Sequence, residues 1–224
     1  MKERGICMTP ANVVAIRAGR KTQTRRLIKL PQQQEEWHLV SSSISEQRKG
    51  GPVGVLFADS ENQEETCRHA FAHCRWGVPG DQLYIREACW MWGAWCKNGF
   101  TATGRQRWRF KPRGERVVYE RPAVTVKRDG STGWVYRHAR YMPKKYARTW
   151  VQITDVRVQQ VQSLDNNDAL AEGAPDIRTI DNNFDMRDCF GVLWDDIHGP
   201  GAWERNDWVW ALTFKLIKKE TVNE

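Results

Sequence analysis

No apolar run in the 224-residue sequence approaches the roughly 18 residues a membrane helix needs, which excludes a helical membrane span. The opening residues, Met1-Lys2-Glu3-Arg4-Gly5-Ile6-Cys7, hold no long apolar stretch, so a secretory signal is not expected there. There is no Walker loop, no Gly-x-Gly-x-x-Gly and no Gly-x-Ser-x-Gly, so the usual sequence signatures for cradling a nucleotide phosphate or presenting a serine nucleophile are missing. Internal repeats are absent as well. Cysteine is sparse: six residues, at 7, 67, 74, 89, 96 and 189, in a chain too long and core-rich to need a disulfide framework. Without a secretion signal the expectation is free thiols in the cytoplasm. Cys67, His69, His73 and Cys74 fall within eight residues, but their spacing matches no common zinc pattern. On one helix over 63–76 the histidines would oppose the cysteines, so no metal and no cofactor are expected.

What is present is tryptophan and positive charge. Twelve tryptophans include Trp90, Trp92 and Trp95 in one segment and Trp203, Trp208 and Trp210 in another. Large indoles are core material, and a few can also stack on nucleobases. Hydrophobic residues make up 40% of the chain, enough to pack a core. The net charge of +8 favours a polyanionic partner, RNA, DNA or another anionic ligand, and without a long apolar run no membrane partner is expected.

Element signals are strongest near the two ends. Thr9 as N-cap, Pro10 at the first helical position and Gly19 past the C-terminus mark a helix, followed by the basic segment Arg20 to Arg26. Gln82 to Glu87 alternates as a strand after the Pro79-Gly80-Asp81 turn, and Arg148 to Val158 has strand propensity. Asp165 and Gly173 bracket a short helix. Met186, Cys189, Phe190, Leu193 and Ile197 define the apolar stripe of a longer one. Trp208, Trp210, Leu212, Phe214 and Leu216 alternate on a final strand. Two stretches, about 31–75 and 89–138, read as insertions, the first a polar loop to about Asn62 followed by a short helix over 63–76, the second a Trp-, Gly- and Arg-rich hairpin. Asp195-Asp196 splay apart on their helix and read as a solvated face. Arg137, His138, Arg140 and Lys144-Lys145 form a basic patch suited to a phosphate backbone.

Four pieces in fixed order carry a resemblance: Gly19-Arg20-Lys21-Thr22-Gln23-Thr24-Arg25-Arg26; Pro79-Gly80-Asp81 running into Leu83-Tyr84-Ile85-Arg86-Glu87; Ile153-Thr154-Asp155-Val156 followed by Asp168-Ala169-Leu170-Ala171-Glu172-Gly173; and the strand Trp208 to Lys215. Together they resemble the ASCH domain of the PUA-like superfamily, in a long form similar to prophage proteins. The resemblance implies an α+β fold: one domain over 1–224, a PUA-like, partly open β-barrel with flanking helices and the two insertions. It implies binding of RNA or a modified nucleoside. Small ASCH proteins include N4-acetylcytidine amidohydrolases, and by similarity Lys21 would be the catalytic lysine, Thr24 the nucleophile and Glu172 the catalytic glutamate. Arg20, Arg25, Arg26 and Arg86 would bind ligand. The chemistry is coherent: a lysine whose pKa falls can take the proton of a threonine hydroxyl. In a plain strand residues 21 and 24 point to opposite faces, so convergence requires a turn. The rival readings are a non-catalytic nucleic-acid-binding module and a phage-encoded interaction protein aimed at a host factor.

Overall fold

The computed structural model describes residues 1–30, 37–41, 54–58, 69–176 and 185–219. The fold is α+β, mostly sheet with few helices, and among the described residues no sheet closes into a barrel. The chain forms two compact units. One comprises Met1–Arg4, Val14–Leu83 and Thr149–Glu224; the other comprises Gly5–Val13 and Tyr84–Arg148 and contains the whole 89–138 segment.

A five-stranded sheet has the order β1-β6-β10-β11-β2, where β1 is Glu3–Cys7, β2 Gln23–Leu27, β6 Gln82–Arg86, β10 Trp150–Gln160 and β11 Trp208–Ile217. β11 runs antiparallel to both neighbours, pairing Trp210 with Val158 on one side and with Arg26 on the other. Trp210, Leu212 and Phe214 are buried as their alternation predicts, while Trp208 is half-buried and gives its indole N–H to the carbonyl of Trp37 at 2.8 Å. Val209 and Ala211, on the opposite face, are also fully buried. The strand is therefore covered on both sides, as a near-continuous apolar run requires. Leu216, read as part of the buried row, is exposed where the strand runs out.

Helix α1 (Pro10–Arg17) starts as read, with Thr9 Oγ1 accepting from the Asn12 amide at 3.3 Å, and Gly19 leaves it at φ 73°, a conformation glycine adopts without strain. Asp165 caps α2 (Asn166–Ala171) by accepting from the Asp168 amide at 2.7 Å. Asp185 and Asp188 cap α3 (Met186–His198) reciprocally. The core against α2 and α3 holds Leu164, Met186, Phe190, Trp194 and Val209. Ile197, assigned to that stripe from its spacing, is exposed: the buried arc turns toward Trp194 and toward Gly191, where a Cβ would stand only 3.2 Å from the Trp203 ring.

Two readings of the first insertion need correction. His69–His73 is a strand, β5, not part of a helix; residues 63–68 lie outside the described residues. The polar stretch read as a loop contains β3 (His38–Ser41) and β4 (Gly54–Ala58), which join β5 in an antiparallel sheet of order β3-β4-β5. Phe57 is completely buried and meets the Trp208 ring edge-on at 5.4 Å, and with buried Trp37, Val55 and Ala58 it anchors this stretch.

The second unit carries a sheet of order β8-β7-β9, from β7 (Cys89–Phe100), β8 (Gln106–Val118) and β9 (Thr132–Arg137). The hairpin read from sequence thus gains a third strand. One face packs Cys89 and Met91 against Met142, with Phe110, Val117 and Tyr119 around them. Burial pushes the Cys89 thiol up to about 11, so it is an inert core group. Arg148 grips the buried carboxylate of Glu87 through Nε and Nη2, the latter at 2.7 Å, and stacks on Tyr119 at 3.7 Å, tying together the two ends of this long excursion.

A buried lysine and arginine network on strand β2

The basic segment after α1 is held on three sides by backbone. The amides of Arg20 and Lys21 both donate to the carbonyl of Ala15, the amide of Thr22 donates to Ala171 at the end of α2, and the Thr22 carbonyl accepts from Phe214 on β11. Gly173, at φ 71°, ends α2 against Lys21; a Cβ there would approach Lys21 Cβ to 3.4 Å. These bonds turn Lys21 inward, and it is only 3% exposed.

Lys21 Nζ donates to Glu172 Oε2 at 2.8 Å and also to the Glu172 backbone carbonyl. It thus neutralises the carboxylate and caps the C-terminal end of α2, where a cation is favoured. Arg25, whose side chain is fully buried, lies between two acids: Nη1 reaches Glu172 Oε1 at 3.2 Å and Nη2 reaches Asp168 Oδ2 at 2.7 Å. Gln23 completes the set, accepting from Arg25 Nη1 at 2.6 Å and donating to Asp168 Oδ1 at 3.0 Å. Arg157 adds a further contact to Asp168 at 3.2 Å.

Burial lowers the pKa of Lys21, and the attraction of Glu172 offsets this only in part; Arg26 and Arg25 push the same way as burial. Burial alone would raise Asp168, but the Gln23 hydrogen bond and the charges of Arg25 and Arg157 outweigh it and leave its carboxyl below the usual range. Among the described residues Arg25 Nε is buried without a hydrogen-bond partner, so the network has one donor left over.

The residues singled out from the sequence are placed as follows. Lys21, Glu172 and Arg25 meet, although 151 positions separate the first two. Thr24 is buried on β2 opposite Leu212. Alternation turns Gln23 and Arg25 toward α2 and Thr24 to the other face, and among the described residues no hydrogen bond joins Thr24 to Lys21 or Glu172. Arg20 is exposed. Arg26 is half-buried, close enough to help lower the pKa of His198, after the larger effect of burial. Arg86 stacks on Tyr84 and donates to its hydroxyl at 3.0 Å and to the carbonyl of Arg140.

Gln23 and Asp168 belong to the network yet were not singled out beforehand. Asp168 carries one available signal, an acid in the first turn of a capped helix; Gln23 carries none.

Of Cys67, His69, His73 and Cys74, the first lies outside the described residues. Among the described residues no three His, Cys, Asp or Glu side chains are grouped to hold a metal ion, and no helix is long and apolar enough to cross a membrane. Comparison of the chain with protein-family models, with curated proteins and with solved structures finds no match in any of the three.

Proposed function

We propose that the chain is an RNA- or modified-nucleoside-binding protein of the ASCH type, a PUA-like fold with two insertions, and that Lys21, Arg25 and Glu172 belong to its nucleoside site. One observation carries this reading. Two cations and the Glu172 carboxylate are buried around β2 and α2, with Asp168 half-buried beside them and Arg25 Nε unpartnered among the described residues. Buried ion pairs are weak devices for stability, because the desolvation they require cancels most of the attraction. A network that also leaves a donor over is suited to receive an acceptor such as a base carbonyl or a phosphate oxygen.

A second reading, hydrolysis of N4-acetylcytidine or a related acylated nucleoside, is favoured by the lowered pKa of Lys21. Thr24 Oγ1, which β2 turns away from α2, would have to swing toward Lys21 to attack the acetyl carbon and pass it its proton. The carbon–nitrogen bond would then break, with the proton returned to the leaving amine. Water would release acetate from the acyl-threonine. Binding is the better supported reading, because Lys21 is bonded to Glu172 and not to Thr24.

Titration with N4-acetylcytidine tests the site. The wild-type protein should bind, and Lys21→Ala and Glu172→Gln should each weaken binding by about tenfold or more, the worth of a charge-assisted hydrogen bond. Acetate release that disappears in Thr24→Ala while binding survives would select the hydrolase. Folded Lys21→Ala protein that binds as well as wild type would overturn the site assignment and favour an interaction protein indifferent to this lysine.

A further inference from the structure

The charge of the chain is segregated. Between Tyr84 and Arg148 there are sixteen Lys and Arg against four Asp and Glu, a net of +12, and Gly5–Val13 adds no charge. The rest of the chain has nineteen basic residues against twenty-three acidic, a net of −4. The basicity that argued for a polyanionic partner therefore belongs wholly to the second unit, whereas the network on β2 belongs to the first.

Within that unit the strand register sorts the side chains. Cys89, Met91 and Val135 turn toward the core under Met142. The other face pairs Trp90 with Tyr136 and Trp92 with Trp134 across β7 and β9. These rings meet edge to face, at centroid distances of 5.3 and 5.4 Å, which leaves ring faces uncovered by their partners. None of the four is fully buried, and Tyr136 is 43% exposed. Farther along the same face, β8 opposes Lys111 to Ala94 and Arg109 to Cys96, both cations exposed. Arg116 lies over the Trp92 ring at 5.0 Å. A row of exposed cations thus leads into a ladder of half-exposed rings.

We infer that this face is the docking surface for single-stranded RNA. The cations match a phosphate backbone, and the rings match unpaired bases, whose open π-faces stack on aromatic side chains without regard to sequence. A duplex offers the same phosphates but keeps its base faces closed, so the rings would go unused. The choice of RNA rests on the reading proposed above; the location of the surface rests on charge and register alone.

The test uses the full chain and a labelled oligoribonucleotide of about 16 nucleotides, the upper end of a single-strand binding site. Trp92→Ala and Tyr136→Ala should each weaken binding about tenfold with the salt dependence unchanged, because stacking releases no counterions. Arg109→Glu with Lys111→Glu should instead flatten the salt dependence, and these exposed positions tolerate the change without loss of fold. Trp134→Phe keeps a ring on the sheet and should retain most of the affinity. Equal binding by the folded Trp92→Ala, Tyr136→Ala and charge-reversed proteins would overturn the surface, as would heparin or duplex competing as well as single-stranded RNA. Tighter binding of single-stranded DNA would overturn the assignment to RNA. If these variants lose RNA while N4-acetylcytidine fails to bind near Lys21, the surface stands and the nucleoside site falls. If Lys21→Ala alone abolishes RNA binding, the reverse holds.

Discussion

In the first unit the cations Lys21 and Arg25 are buried, and each meets a carboxylate of the Asp168–Glu172 segment. In the second, Arg109 and Lys111 stand exposed on β8, and several guanidinium groups rest on rings instead of acids. Arg137 lies 4.6 Å from the Phe110 centroid and 4.8 Å from that of Tyr141, and Arg128 lies 4.7 Å from that of Trp95. The contrast separates two tasks. A buried, paired cation in a shielded site can fix the orientation of one small polar group. Exposed cations with aromatic neighbours attract a long polyanion and hold its bases loosely. Ring contacts also let a strongly basic unit fold without an equal number of acids, since a cation over an aromatic face is stabilised with no counter-charge.

Removing one partner of the buried network should have the largest effect. Glu172→Ala leaves Lys21 and Arg25 with a missing counter-charge in a buried site, and should cost about 3–5 kcal/mol in denaturant unfolding. Replacing Lys21 and Glu172 together by Met and Leu should recover most of that loss, whereas a purely additive result would show that the two do not act as a pair. In the second unit, Arg148→Ala strands the buried carboxylate of Glu87 and should cost about 1–3 kcal/mol.

The units should also differ in acid. In the folded protein the Asp168 and Asp81 carboxyls are held below the ordinary aspartate value of 3.8. For Asp81, burial works upward and is outweighed by the Lys2 amide and Arg4. Because the folded state holds these groups deprotonated, their contribution is present above pH 3.8 and disappears as pH falls through their folded values. Amide exchange at falling pH should therefore show β2 and α2 losing protection before β7 and β8, where the one lowered carboxyl, Glu115, is fully exposed and its pair with Lys145 is screened by solvent. The smallest effect belongs to Arg109→Ala with Lys111→Ala, both exposed, which should move stability by no more than about 0.5 kcal/mol per site. A larger loss would mean that the cations of β8 hold the sheet together.

The sequence was most legible where a capping residue and a periodic apolar row coincide. Asp165 with Gly173, the stripe of Met186, Cys189 and Phe190, and the row of Trp210, Leu212 and Phe214 each mark their element without help from distant residues. Strand β2 was opaque for the opposite reason. Gln23 and Arg25 are polar, yet they are buried because α2 supplies acids from more than 140 positions away, and no local pattern reports such partners. β5 was not legible because Ala70, Phe71 and Ala72 between two histidines make no period-two apolar row, and its place is set by pairing with β4, not by its own propensity. The exposed face of the second sheet could have been suspected from Arg107-Trp108-Arg109-Phe110, where cations and rings alternate with a period of two. The meeting of Lys21 with Glu172 followed only from resemblance, since nothing in the spacing of those two residues requires it.

The most direct test of the account is the titration of Lys21 itself, followed by nitrogen-15 resonances of the lysine side chains with and without N4-acetylcytidine. One lysine should titrate below the ordinary 10.5, be absent from the spectrum of Lys21→Arg, and shift its resonance when the nucleoside is added. A Lys21 that titrates with the surface lysines and does not respond to the nucleoside would contradict the account.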